Sequence, residues 1–367
     1  MRDKSRRREH GAGIRLDDEV EERAMSRFGR FTRGAAVVLA TVGSLGAAEA
    51  RDLTVVSWGG SYQDAQKIIF FKPYQEEMGV RLVEDSWNGG IGTLRAKAEG
   101  ASVWDVVQVE ADELVLGCEE GIFEPLDWGM LGGKDKFLPS AVHDCGAGAI
   151  VWATVLSYDG AKFGDNGPKS WADFFDTQKF PGKRALRRGP RQALEFALLG
   201  DGVPQDQVYA ALATKEGVDR AFNKLESIKG DLVWWEAGAQ PPQLLASGEV
   251  VMTSVYNGRI TGANKNEGKD FRIPWEAGFI YQVDSWVILA NSPMKDEAQQ
   301  LIAFLTEPER QALLPEYIAY GPTRKDAMPL VDPKYLADIP TAPDIIEAGL
   351  AFDIEFWVDR IEQLNER

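Results

Sequence analysis

Leu53-Thr54-Val55-Val56-Ser57-Trp58-Gly59-Gly60-Ser61-Tyr62 is the stretch on which the fold turns. An apolar run of strand length stops at two glycines, and apolar residues then recur at helical spacing through Ala65, Ile68, Ile69 and Tyr74. The pattern predicts a strand, a tight turn and a helix. Downstream it repeats: a strand over 80–83 before Asn88-Gly89-Gly90, a helix over 93–99, a strand over 104–109 and a helix over 112–120. Alternation of this kind predicts a parallel sheet with helices on its faces.

A longer apolar strand over 149–158 is able to carry the chain into a second unit. There the alternation restarts, with a helix over 171–175, a strand over 184–187, a helix over 192–199, a strand over 232–235, a helix opened by Pro241-Pro242 and a strand over 250–256. The extended run over 279–289 leads back, followed by an amphipathic helix over 297–305 and a final helical region over 344–364. The expected fold class is therefore α/β in two lobes, each a mostly parallel sheet flanked by helices, with a cleft between them. Residues 51–154 and 283–329 form the first lobe in this reading, and residues 155–282 and 330–367 the second. No low-complexity linker separates them and no fixed repeat appears.

A chain of 367 residues is long for one core and comfortable for two lobes. Its formal net charge of −16 argues against a nucleic-acid partner, because phosphate binding needs clustered Lys and Arg. Residues 1–50 read as an address: Arg27, Arg30 and Arg33 form a basic region, 35–48 a short apolar one, and Ala48-Glu49-Ala50 a signal-peptidase site. The apolar run is too short for a membrane span. The expected mature start is near Arg51 and the expected location the periplasm; Met1 and Met25 remain alternative starts.

Cys118 and Cys145 are the only cysteines, and in an exported chain a disulfide between them is the natural expectation, with two buried thiols as the alternative. His143 is the only histidine after residue 50, which leaves little material for a zinc cluster or a Ser-His-Asp triad. No G-x-S-x-G, H-E-x-x-H or phosphate-loop motif occurs. The sequence thus implies no catalytic residue, metal or cofactor.

Several segments taken in order carry a resemblance. They are Trp58-Gly59-Gly60-Ser61-Tyr62, Trp104-Asp105-Val106-Val107, Ser170-Trp171-Ala172-Asp173-Phe174, Gly248-Glu249-Val250 leading to Tyr256-Asn257-Gly258, Asp284-Ser285, and Tyr320-Gly321-Pro322. Together the chain resembles the periplasmic spermidine/putrescine-binding family of ABC-transporter solute-binding proteins. The resemblance implies a periplasmic-binding-protein fold, a monomer that closes about a hinge, and permease subunits of the inner membrane as partners. It also implies a site in which aromatic faces enclose an aliphatic amine and carboxylates pair with its ammonium groups. By motif position, Trp58, Tyr62, Tyr256, Tyr281 and Tyr320 are similar to the family's aromatic contacts, and Asp284 to its ammonium-binding aspartate.

The chain departs from the family after Trp171-Ala172-Asp173. Where polyamine binders carry acidic residues, it reads Arg187-Arg188-Gly189-Pro190-Arg191-Gln192, and Arg259 follows Tyr256-Asn257-Gly258. Arg191 and Arg259 suit a carboxylate, which favours an ω-amino acid such as γ-aminobutyrate. Glu110 and Asp112, after the strand over 104–109, are able to answer a second ammonium and keep a diamine such as putrescine in play. Plainer roles stay open: Trp58 and Tyr256 as core rings, Asp284 as a turn cap, the arginines as solvated charges. So do two other classes of function, an extracytoplasmic hydrolase or lyase and a ligand-sensing domain for a membrane receptor.

Overall fold

A computed structural model describes residues 51–100 and 103–367. The expected export signal lies outside them. The strand expected at the start is β1 (Leu53–Ser57), buried along its whole length as a central parallel strand must be. Gly59 and Gly60 then take φ of 63° and 59°, which side-chain-bearing residues avoid, and the chain turns directly into the helix Gly60–Gln66. Trp58 is left at the carboxyl end of the strand.

The other strands are β2 (Leu82–Ser86), β3 (Val106–Val109), β4 (Val142–His143), β5 (Gly146–Asp159), β6 (Arg184–Arg187), β7 (Leu232–Trp235), β8 (Met252–Tyr256), β9 (Phe271–Arg272), β10 (Phe279–Ile288) and β11 (Gly349–Ala351). Their principal order is β2-β1-β3-β10-β5-β8-β6-β7. The trio β2-β1-β3 is parallel throughout, and so is the trio β8-β6-β7. Between them the long strands β5 and β10 run antiparallel to each other, β10 pairing with β3 on one side and β5 with β8 on the other. The architecture is the expected two-lobed α/β fold, but one hydrogen-bonded sheet passes through both halves. The antiparallel crossing strands supply that continuity, since each is long enough to change partners along its length.

Separate apolar clusters fill the two halves. In the first, Val55, Phe71, Trp286 and Leu301 pack together; in the second, Trp171, Phe174, Phe196 and Trp357 do. Three expected boundaries, 171–175, 184–187 and 232–235, coincide with a helix and two strands. The last region differs from expectation. In place of one helical stretch over 344–364, the chain forms Pro343–Ile346, pairs β11 with β10, and only then enters the helix Ile354–Asn365, capped by Asp353.

Cys118 and Cys145 are joined in a disulfide. The bond ties the helix Ala111–Glu119 to the residue just before β5, so the helix after β3 is fastened to the root of a crossing strand. Closing a loop of 27 residues stabilises the chain by roughly 3–4 kcal/mol in the chain-entropy account. Cys118→Ala/Cys145→Ala is expected to lower stability by about that amount in urea unfolding, and unreduced protein to show no alkylatable thiol by mass spectrometry. Two free thiols in oxidised preparations would contradict the bond.

Candidate functional site

The carboxyl ends of the parallel strands converge on one cavity of about 400 Å³. Trp58 follows β1, Trp87 and Asn88 follow β2, and Glu110 follows β3; from the other half Arg187 ends β6, Glu236–Gly238 follow β7 and Tyr256 ends β8. The crossing strands contribute Ile150 and Trp152 from β5 and Asp284 from β10, while Tyr320 and Arg259 complete the wall. Open α/β sheets place their ligand sites at strand carboxyl ends, because helix starts and loop side chains gather there.

Asp284 is the carboxyl group that β10 brings to this wall. It is buried, and three N–H donors reach its carboxylate: Trp58 Nε1 at 2.8 Å and Gln108 Nε2 at 3.1 Å to Oδ2, and Trp152 Nε1 at 2.6 Å to Oδ1. Asp284 makes no ion pair among the described residues. Burial, reinforced by the charge of Glu110, holds its carboxyl well above the usual carboxylate range, and the two indole donors pull it partly back. The position arises from a register shift between β10 and β5 at Asp284, where Asp284 faces Ile150 and Ser285 faces Gly148. Such irregularities re-aim side chains beside sites.

Rings surround this carboxylate. Trp58 stacks on Trp87 at 5.2 Å between centroids, Tyr62 meets Tyr320 edge to face at 5.5 Å, and Trp152 meets Tyr256 at 5.0 Å. Gln108 joins the layers, since its Oε1 accepts from Tyr62 Oη at 3.0 Å and from Gln66 Nε2 at 2.9 Å. The Tyr256-Asn257-Gly258 segment has a mechanical role as well. Buried Asn257 accepts from the Ala153 N–H at 3.1 Å and donates to the carbonyls of Ala319 and Asp338, fastening this helix start to β5 and to the Tyr320 segment. A Cβ on Gly258 would stand 2.6 Å from the Tyr320 ring, so only glycine lets that ring reach the cavity.

Glu110 and Glu113 cap the helix Ala111–Glu119 reciprocally, and Glu113 also accepts from the Gly90 N–H in the loop that carries Asn88. Burial and the neighbouring Glu110 push Glu113 up to about 8. Burial likewise raises Glu110, opposed by the charge of Arg187. The wall near Asp284 is therefore rich in carboxyl groups. The same lining carries Arg187 and Arg259; among the described residues Arg187 makes no ion pair, Arg259 Nη1 donates to Ser61 Oγ at 3.3 Å, and Arg259 Nε is buried without a partner.

Of the residues expected at the site, Trp58, Tyr62, Glu110, Tyr256, Arg259, Asp284 and Tyr320 lie together on the cavity wall. Arg191 and Asp112 do not; Arg191 Nη2 donates to Asp112 Oδ2 at 2.8 Å. Tyr281 is also off the wall, packed beside Phe279 and against Gly349 of β11. Arg187 takes the place expected of Arg191, because it ends β6 whereas Arg191 lies four residues on, in the turn. Trp87, Asn88, Trp152 and Glu236 were not expected. Glu236 directly follows the expected strand over 232–235, and that strand end alone would have pointed to it; Trp87 and Asn88 follow a strand that runs to Ser86 rather than ending at 83, and Trp152, one side chain on a buried strand, left no such signal.

The family profile of bacterial extracellular solute-binding proteins matches residues 70–343. The chain is 44% identical over 321 residues to the gamma-aminobutyric acid-binding protein of Pseudomonas aeruginosa PAO1, covering 87% of this chain and 90% of the relative. It is 23% identical over 283 residues to the spermidine/putrescine-binding periplasmic protein of Escherichia coli K12, covering 74% and 78%. Among solved structures, the Atu4243-GABA receptor superposes with a TM-score of 0.76 at 35% identity, covering 86% of this chain and 96% of that one. A cavity at the carboxyl ends of two parallel strand trios is what this kinship predicts, and the chain belongs to the bacterial extracellular solute-binding proteins.

Proposed function

We propose that the chain captures a short ω-amino acid of the γ-aminobutyrate class outside the inner membrane and delivers it to the permease subunits of an ABC importer. One observation carries the ligand reading: a buried carboxylate and two arginines line one aromatic-walled cavity. Asp284 has N–H donors but no cation, and an ammonium supplies the missing charge. Arg187 and Arg259 answer a carboxylate, with the rings of Trp58, Tyr62 and Tyr256 against the methylenes between. With two arginines lining the cavity beside Asp284 and Glu110, a zwitterion finds a partner for each of its charges. A diamine leaves the arginines opposed by like charge. Glu236 on the wall favours putrescine as the second reading, but it already pairs with Arg188 at 3.2 Å.

The relatives named above are binding proteins rather than hydrolases or lyases. The reading includes export with maturation near Arg51, action as a monomer, and lobes of residues 51–154 with 283–329 and 155–282 with 330–367. Partner exchange along the crossing strands supports those limits: Thr154 is where β5 passes from β10 to β8. Bending there closes the lobes with little loss of pairing.

A thermal-shift screen is expected to respond to γ-aminobutyrate above putrescine, spermidine and ordinary amino acids, since a ligand of the native state raises its stability. Asp284→Asn is expected to cost about 2–5 kcal/mol of binding with the fold retained by circular dichroism, and Arg187→Ala or Arg259→Ala a similar amount for the zwitterion. Diamines gain from either arginine loss. A response confined to diamines would reject the zwitterion, and one confined to sugars or metal ions would reject the amine site.

Binding is also expected to depend on pH. Asp284 and Glu113 have raised pKa values in the free protein, so both hold protons at pH values where exposed carboxyls do not. An arriving ammonium favours their ionised forms and displaces a proton. Affinity should therefore rise with pH, approaching about tenfold per pH unit where one full proton is released. Calorimetry in buffers of unlike ionisation enthalpy measures that proton, and an affinity flat from pH 5 to pH 8 would mean that Asp284 is ionised before the ligand arrives.

A further inference from the structure

Asp112 and Arg191 stand off the cavity wall, yet their ion pair joins the two halves of the sheet. Asp112 is in the first turn of the helix Ala111–Glu119, which follows β3. Arg191 lies in the turn between β6 and the helix Ala193–Gly200. Their side chains retain only 15% and 25% of their exposure, so solvent screens the pair less than a surface contact. The turn that carries Arg191 is strained. Gln192 beside it has a φ of 67°, the one non-glycine residue with positive φ among the described residues, and its side chain is buried. Strained backbone persists only where its surroundings enforce it. The C-terminal helix Ile354–Asn365, rooted in the second core by Trp357, also touches the helix Ala111–Glu119 of the first half.

We propose that the Asp112–Arg191 pair is a closure latch: it positions the two lobes and sets the affinity and residence time of every ligand the cavity accepts, without touching any of them. The proposal rests on the reading of the cavity as a solute site closed by its lobes. A contact made only when the lobes meet stabilises the closed form alone. Apparent affinity is the intrinsic affinity scaled by the closed fraction, so losing the latch weakens all ligands by one common factor. A residue that touches the ligand discriminates between ligands instead. Asp112 and Arg191 act through the lobes and are positioning residues.

The test uses Asp112→Ala, Arg191→Ala and the reversed pair Asp112→Arg/Arg191→Asp in the mature chain. Small-angle scattering of ligand-free protein comes first, because it does not depend on which solute is bound. Each single variant is expected to show a larger radius of gyration than wild type, and the reversed pair to return toward it. Dissociation of γ-aminobutyrate and of putrescine is then followed by tryptophan fluorescence. Each single variant is expected to dissociate about tenfold faster, by the same factor for both probes, and the reversed pair to come within about threefold of wild type. The latch is overturned if reversal fails to restore compaction and dissociation. It is also overturned if Arg191→Ala penalises γ-aminobutyrate alone, which would make Arg191 a ligand contact. If wild type bound neither probe, the amine reading would fall and the scattering comparison would still decide the latch.

Discussion

The carboxylate of Asp284 is the constraint around which the rest is arranged. Ionising it in a buried site is costly, and the protein offsets that cost only in part, with two indole N–H groups and one amide, so its pKa stays raised. Full compensation needs a cation from outside. Each donor is fixed in turn by a different element: Trp58 by the two-glycine turn after β1, Gln108 by the network with Tyr62 and Gln66, Trp152 by the crossing strand β5. The recognition chemistry therefore depends on both the parallel trio and the crossing strands.

The crossing strands also explain how such a site is able to open. Among the described residues they are the strands shared by both halves, and each exchanges partners along its length. In the proposed reading a ligand between strand ends of opposite halves is held by groups from both lobes, closure completes the site, and polar contacts between the halves bias that equilibrium as the ligand does. Arg259 with Ser61 and Arg191 with Asp112 are two such contacts, one on the cavity wall and one beside it.

Legibility in the sequence followed the range of the interactions. Strand–turn–helix units are local, so Leu53–Ser57 with its two glycines, Arg184–Arg187 and Leu232–Trp235 were readable from apolar runs and turn residues. The helix after residue 344 was not, because β11 interrupts it by pairing with β10, a partner some seventy residues away in the chain. Within the arginine-rich turn, the sequence showed that a cation follows β6 but not which one. Arg187 and Arg191 differ by their place relative to the strand end, and in the fold Arg191, next to the positive-φ Gln192, meets Asp112.

By itself the sequence determined the alternation of elements, the two crossing strands, the acidic balance and the aromatic and acidic motifs that carry the family resemblance. Each of these is set by neighbours in the chain, by spacing or by composition. The tertiary structure alone decided which side chains share a wall: that Arg187 stands in the cavity while Arg191 meets Asp112, that Tyr281 faces β11, and that Trp152 and Gln108 serve Asp284. Those choices depend on register and closure between strands distant in sequence. The free energy of a buried charge or a packed ring is fixed by what surrounds it in space.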